Sequence, residues 1–243
     1  MVDVHCHVLP LVDDGAKSWD IAVNMCRIAF QDGITHIVAT PHANETYSFN
    51  REILTAHLQN LSERVGHALS FSLGCDFHLS YDNLADAMGF PTRYTINGGP
   101  YLLVEFSDFG IPPQVSSHLF GLRNIGIIPV ITHPERNPIL QHNPEQVLVW
   151  VRQGCAVQAT ASAFTGFWGE QARRCALWLL EREAVHVLAT DAHDDRRRVP
   201  ILSEARSLIS KRFGLDVARA LVDDNPGAIV AGQPLPFFYA AAS

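Results

Sequence analysis

Short apolar runs recur along this chain, and almost every one leads into a residue that can ligate a metal ion. The opening run holds His5 and His7. Residues 35–39 lead to Thr40-Pro41-His42, residues 70–73 to Gly74-Cys75-Asp76, and residues 101–105 end in Glu105. Residues 127–132 lead to His133-Pro134-Glu135-Arg136 and residues 185–189 to Thr190-Asp191-Ala192-His193, whereas 156–159 is apolar with no such ending. Runs of this length, bounded by Gly and Pro, read as buried strands. Between them, apolar residues repeat at helical spacing over 19–31 (behind a capping Ser18 and closed by Gly33), 51–65, 115–123, 144–153, 168–182, 201–213 and 215–223; residues 84–100 are irregular. Strands alternating with helices imply a parallel sheet. An open doubly wound sheet also binds ligands at strand C-termini, but it would not bring groups from six strands to one point. The expected fold is therefore α/β, a distorted (β/α)7 TIM-like barrel in one domain over 1–243, with a metal site at the C-terminal ends of the strands.

The first fifteen residues show why a metal is expected. Alternate residues of a strand share a face, so His5 and His7 point together while Cys6 points away. Burying two imidazoles is costly unless their ring nitrogens find partners, which a divalent cation supplies. Asp13-Asp14-Gly15 adds oxygen ligands nearby. The full set is His5, His7, Asp14, His42, Asp76, Glu105, His133, Asp191 and His193. One four-coordinate zinc would leave about half of these unexplained. Two or three divalent ions fit; mixed imidazole and carboxylate ligation suits manganese, iron or zinc. Clustered ions acidify a water and clamp the attacking and leaving oxygens of an in-line displacement, so phosphoester hydrolysis is the expected reaction. Arg136, three residues after His133, would grip phosphate oxygens. Of Arg196, Arg197 and Arg198, at least two are expected to form a solvated turn.

Composition narrows the partners. A net charge of −7 argues against nucleic acid or an anionic membrane, and an anionic substrate would need bound cations to reverse the local sign. Hydrophobic residues at 47% and charged residues at 18% are ordinary for a globular chain, and no apolar run approaches the roughly 20 residues of a membrane span. With no basic leader and five widely spaced cysteines lacking any C-x-x-C, a reduced, cytoplasmic protein is expected. No C-x5-R motif offers a thiol nucleophile. The only lysines, Lys17 and Lys211, end no strand, which argues against a hydrolase built on a carbamylated lysine. A non-catalytic docking module is the other class considered; all nine positions retaining competent ligands argues against it.

The motifs D-V-H-C-H, T-P-H, G-C-D, L-V-E-F, H-P-E-R and T-D-A-H, in this order, resemble the polymerase and histidinol phosphatase (PHP) family. More narrowly, H-x-H-x-L-P-x-x-D-D-G with T-P-H, H-P-E-R-N and T-D-A-H resembles the manganese-dependent protein-tyrosine phosphatases of bacterial capsular and exopolysaccharide loci. The resemblance runs from Val2 to about Asn225. It implies three metals: one held by His5, His7, Asp76 and Asp191, a second bridged by Asp76 and completed by Glu105 and His133, and a third held by Asp14, His42 and His193. It further implies phosphate contacts from Arg136 and Arg198, and a phosphotyrosine-bearing tyrosine autokinase that regulates polysaccharide length as substrate. Asp76 departs from the usual Glu at the bridging position and is one methylene shorter. Histidinol phosphate is the rival substrate; the scarcity of long insertions leans toward an open site and a protein tail. Oligomeric state is left open.

The remaining aromatic and histidine residues carry modest expectations. His78 reads as a satisfied loop residue, His36 and His186 as packing residues within strands, and His57, His67, His118 and His142 as solvated. Trp19, Trp150, Trp168 and Trp178 read as helical core residues. Residues 106–113, with Phe109, are expected to wall the substrate pocket.

Overall fold

All seven anticipated runs form strands, and every ladder between them is parallel. The computed structural model describes residues 1–237. The strands are β1 (Val2–Cys6), β2 (His36–Ala39), β3 (His42–Ala43), β4 (Ser70–Leu73), β5 (Asp76–His78), β6 (Tyr101–Glu105), β7 (Ile128–Thr132), β8 (Ala156–Thr160) and β9 (Val187–Ala189). Nine segments arise from seven runs because two runs break and resume: Thr40-Pro41 separates β2 from β3, and Gly74-Cys75 separates β4 from β5. Proline has no N–H to give a ladder. At Gly74 a Cβ would lie 2.8 Å from Ile96 Cγ1 and 3.2 Å from Val38 Cγ1, so only glycine passes there.

These breaks divide the strands into two sheets, β1-β2-β4 and β3-β5-β6-β7-β8-β9. The chain itself joins them where β2 runs on to β3 and β4 to β5. On the opposite side a single bridge between Cys6 and Ala192 brings β1 against the segment leaving β9. There the Asp191 N–H donates to the His5 carbonyl (2.8 Å) and the His7 N–H to the Ala192 carbonyl (2.9 Å). The result is a TIM-like array of parallel strands with interrupted ladders, the distorted barrel expected.

Alternation along the strands separates two apolar clusters. Leu102, Val104, Ile131, Val157 and Leu188 join the large outer cluster beneath the helices. Val38, Leu103, Val130, Ala156 and Val187 form an inner cluster, closed below by Ile96 and Ile229. Continuing the inner face by twos brings Val38 to His42, Leu103 to Glu105 and Ala156 to Gln158, so an apolar floor leads to a polar mouth. β1 breaks this rule. Val4 packs in the inner cluster, yet the adjacent His5 also faces the mouth, because pairing with β2 slips between Asp3 and Cys6. A bulge there re-aims the histidine.

The helices follow expectation most closely where a cap is clear. Ser18 Oγ accepts from the Ile21 N–H to start α1 (Trp19–Gln31), and Asn50 caps α2 (Arg51–Val65). The irregular region 84–100 is corrected at its start by α3 (Tyr81–Gly89). Expected helices persist as α4 (Val115–Asn124), α6 (Glu145–Arg152), α8 (Glu170–Glu181) and α9 (Ser203–Phe213), while α5 (Pro138–His142) and α7 (Ala161–Phe164) are too short for periodicity to reveal. The last expected helix becomes α10 (Leu215–Arg219), a π turn over Ala220–Asp224 and α11 (Asn225–Ala231). Because α8 begins at Glu170, Trp168 is not a helical core residue; it is half-buried in the preceding turn.

Candidate metal and phosphate site

The barrel mouth gathers all nine expected ligands. His5 Nε2 lies 3.2 Å from His7 Nε2, 3.4 Å from Asp76 Oδ2 and 3.5 Å from Asp191 Oδ1. Asp76 Oδ2 is also 3.2 Å from His42 Nδ1, and Glu105 stands 3.7 Å from both His42 and His133. Asp14 Oδ1, from the loop after β1, is 3.4 Å from His42 Nε2 and 3.4 Å from His193 Nε2. The tightest groupings are His7/Asp14/His42/His193, His5/His7/Asp76 and His42/Asp76/Glu105. Thus His7, His42 and Asp76 each stand in two groups. Asp191 and His133 lie just outside all three, Asp191 3.4 Å from His7 and 3.6 Å from His193.

These residues fit divalent cations. The separations exceed good hydrogen-bond lengths, yet donors bound to one ion at about 2.1 Å stand roughly 3.0–3.4 Å apart. Both carboxylate oxygens of Asp76, and His42 Nδ1, are buried without a hydrogen bond, a costly state unless another ligand satisfies them. The far nitrogens of the rings are already held. His7 Nδ1 meets Asp13 Oδ2 at 2.7 Å, His5 Nδ1 meets Gln158 Oε1 at 3.0 Å, and His193 Nδ1 meets the Asp191 carbonyl at 3.0 Å. Such partners fix ring orientation and leave Nε2 facing the centre. Asp13 also accepts from the backbone N–H groups of Gly15 (2.9 Å) and His42 (3.1 Å), tying the loop to β3. Sequence reasoning saw Asp13 only as part of a turn and missed Gln158 altogether. The one signal for Gln158 is an uncharged polar residue inside the apolar run A-V-Q-A-T.

The electrostatics call for positive charge. Burial opposes protonation of His5, His7 and His42, but the carboxylates outweigh it: Asp76 and Asp191 raise His5, Asp13 raises His7 to about 9, and Asp14 and Asp76 raise His42 to about 11. Burial lowers His193 to about 4, helped by the His7 charge, and it also lowers His133 well below its ordinary value, helped by Arg136. The imidazoles of His193 and His42, each 3.4 Å away, hold Asp14 far below the usual carboxylate range. Asp76 and Asp191 are also depressed: burial opposes, but the neighbouring histidines and, for Asp191, Arg136 prevail. Of the four carboxylate ligands, Glu105 alone is pushed up, by burial and then by Asp76.

Asp191 faces two ways. Its Oδ1 turns to His5, His7 and His193, while its Oδ2 accepts from both Arg136 and Arg198, the latter at 2.7 Å. The turn that presents it is strained, with φ 49° at Asp191, and the end of β7 is strained likewise, with φ 33° at His133. Buried Asp3 holds that turn, accepting the Thr190 N–H at 3.0 Å and the Thr190 hydroxyl at 2.5 Å. Arg196 and Arg197 are exposed, as expected of a solvated turn. His78 is not a loop residue. It ends β5, with Nδ1 3.8 Å from Glu105 Oε2 at the rim. Phe109 walls nothing and is fully exposed.

Residues 1–231 match the family described as "Capsular polysaccharide synthesis, CpsB/CapC". The chain belongs to that family. It is 31% identical to "Tyrosine-protein phosphatase YwqE" of Bacillus subtilis (92% of this chain, 89% of the relative) and 29% identical to "Tyrosine-protein phosphatase CpsB" of Streptococcus pneumoniae (96% and 99%). A crystal structure from work on those two proteins, described as unique metal-dependent tyrosine phosphatases, superposes with a TM-score of 0.91 at 30% identity, covering 97% of this chain and 96% of the other. At fold level alone the CpsB/CapC barrel also resembles a lactonase from Listeria monocytogenes, with a TM-score of 0.59 at 12% identity. Among the described residues of this CpsB/CapC chain, no helix is long and apolar enough to cross a membrane.

Proposed function

We propose that this CpsB/CapC chain is a metal-dependent protein-tyrosine phosphatase, acting on the phosphotyrosine-bearing tail of a bacterial tyrosine autokinase in capsule or exopolysaccharide synthesis. The observation that carries the reading is the mouth itself: nine imidazole and carboxylate side chains converge there, with buried, unbonded oxygens on Asp76 and two guanidiniums at the edge. The matched relatives are named for the same activity. We assign two to three ions, manganese first, to His5, His7, Asp14, His42, Asp76, Glu105, His133, Asp191 and His193, in one cytoplasmic domain. All five cysteines are free and buried, as suits a reducing compartment.

Bound there, the ions supply an acidified water as nucleophile and positive charge against the phosphoryl oxygens. The chain's own part is positional. Asp13, Gln158 and the Asp191 carbonyl aim the imidazoles, and the apolar floor under the site keeps water from below. Arg136 and Arg198, both at Asp191 Oδ2, present donors to a phosphoryl group lying on the cluster, where charge grows in the transition state.

The deciding experiment pairs metal content by mass spectrometry with manganese-dependent hydrolysis of a phosphotyrosyl and a phosphoseryl peptide, for the wild type and His5→Ala. Two to three ions per chain, turnover preferring phosphotyrosine and loss of both in His5→Ala are expected. A wild type that binds no metal and stays silent after manganese addition would overturn the assignment.

A further inference from the structure

The two arginines at the mouth are backed by an aromatic residue to which nothing so far gives a role. Trp168 sits in the turn between α7 and α8, and its Nε1 donates to Ser162 Oγ at 2.9 Å, which fixes the plane of the indole. The Arg136 guanidinium carbon stands 3.9 Å from the centre of that ring and the Arg198 carbon 5.3 Å. Phe167 meets the indole edge-on, ring centres 5.2 Å apart at 80°, and both line a cavity of about 160 Å³ beside Arg198.

This arrangement answers a physical difficulty. Two cations crowd one oxygen of Asp191 and repel each other, and an arginine side chain has several rotors through which it can swing away. An aromatic face attracts a guanidinium and holds it flat. On the side of the site the ring faces the two arginines, so its influence on the reaction would pass through them.

We infer that Trp168 is a positioning residue: its ring, anchored by Ser162, holds Arg136 and backs Arg198 so that both guanidiniums stand where the substrate phosphoryl group arrives. The inference rests on the phosphatase reading. Loss of the indole should weaken the grip on phosphate while leaving the metal cluster intact.

The test measures kcat and KM for p-nitrophenyl phosphate, the inhibition constant of inorganic phosphate, and metal content in the wild type, Trp168→Phe, Trp168→Leu, Ser162→Ala, Arg136→Ala and Trp168→Leu/Arg136→Ala. In Trp168→Leu, KM and the phosphate constant should rise together, roughly 3- to 30-fold, with metal content unchanged. Trp168→Phe should recover most of that loss, and Ser162→Ala should show a smaller rise of the same kind. On the Arg136→Ala background, Trp168→Leu should add only a smaller rise, the part that passes through Arg198. Unchanged constants in Trp168→Leu, or an equal penalty with Arg136 already removed, would overturn the role. If Trp168→Leu does not fold, Ser162→Ala and Trp168→Phe decide by the same constants. A failed phosphatase reading shows separately, as a wild type without manganese-dependent turnover; calorimetric titration of inorganic phosphate then reads the same variants.

Discussion

Single side chains here are committed in pairs, one to face the centre and one to hold the first in place. Asp13 is the clearest holder: it grips His7 and receives two backbone N–H groups. Asp13→Ala should therefore keep the fold but lower metal affinity about 10- to 100-fold, read by manganese titration. The same pair sets a pH dependence. His7 is raised to about 9, so at neutral pH its ring holds a proton that a cation must displace. Apparent manganese affinity should climb as pH rises from 6.5 toward 9, with protons released on binding. Calorimetry in buffers of different ionisation enthalpy measures both, and a pH-independent affinity would contradict the assignment of His7. For the metal-free protein the sign is opposite. Stability from the protonated His7 is fully present below pH 6.5 and is lost as pH rises through about 9.

Among the elements, the loop after β1 is the one built to the tightest tolerance. A Cβ on Gly15 would lie 2.2 Å from the His7 carbonyl oxygen and 2.6 Å from His7 Cβ, both parts of the strand end that carries the site. Gly15→Ala should destabilise by about 1–3 kcal/mol or more, measured by urea denaturation, and should displace Asp13 and Asp14 together. This tolerance was half legible in the sequence. D-D-G announced a turn with oxygen ligands, but the reason for glycine is a close approach that only the folded strand creates. The elements overall were legible where periodicity or a cap spoke, as with Ser18 ahead of α1. They were obscure where an element is four or five residues long, as with α5 and α7, or where a run breaks, as at Gly74. Gln158 stayed hidden because its importance comes from β8 facing His5 across the mouth, a non-local fact that no local pattern encodes.

At the scale of the whole molecule, the ions act as ligands of the folded state alone and so stabilise it. Manganese at one hundred times its dissociation constant should add about 2.7 kcal/mol for a single site, seen as a rise in Tm absent from His5→Ala. Chelation should abolish turnover and lower Tm, with both restored by manganese, whereas thiol alkylation should leave turnover intact because every cysteine is buried. The bridge between Cys6 and Ala192 carries a further consequence, for how the protein is made. The first ligands to leave the ribosome, His5 and His7, lie beside Asp191, a residue 186 positions after His5. A growing chain therefore presents its first imidazoles long before it can enclose an ion between them. Loading of the His7/Asp14/His42/His193 group waits for His193, and truncated chains ending before Asp191 should bind fewer manganese ions than the full chain.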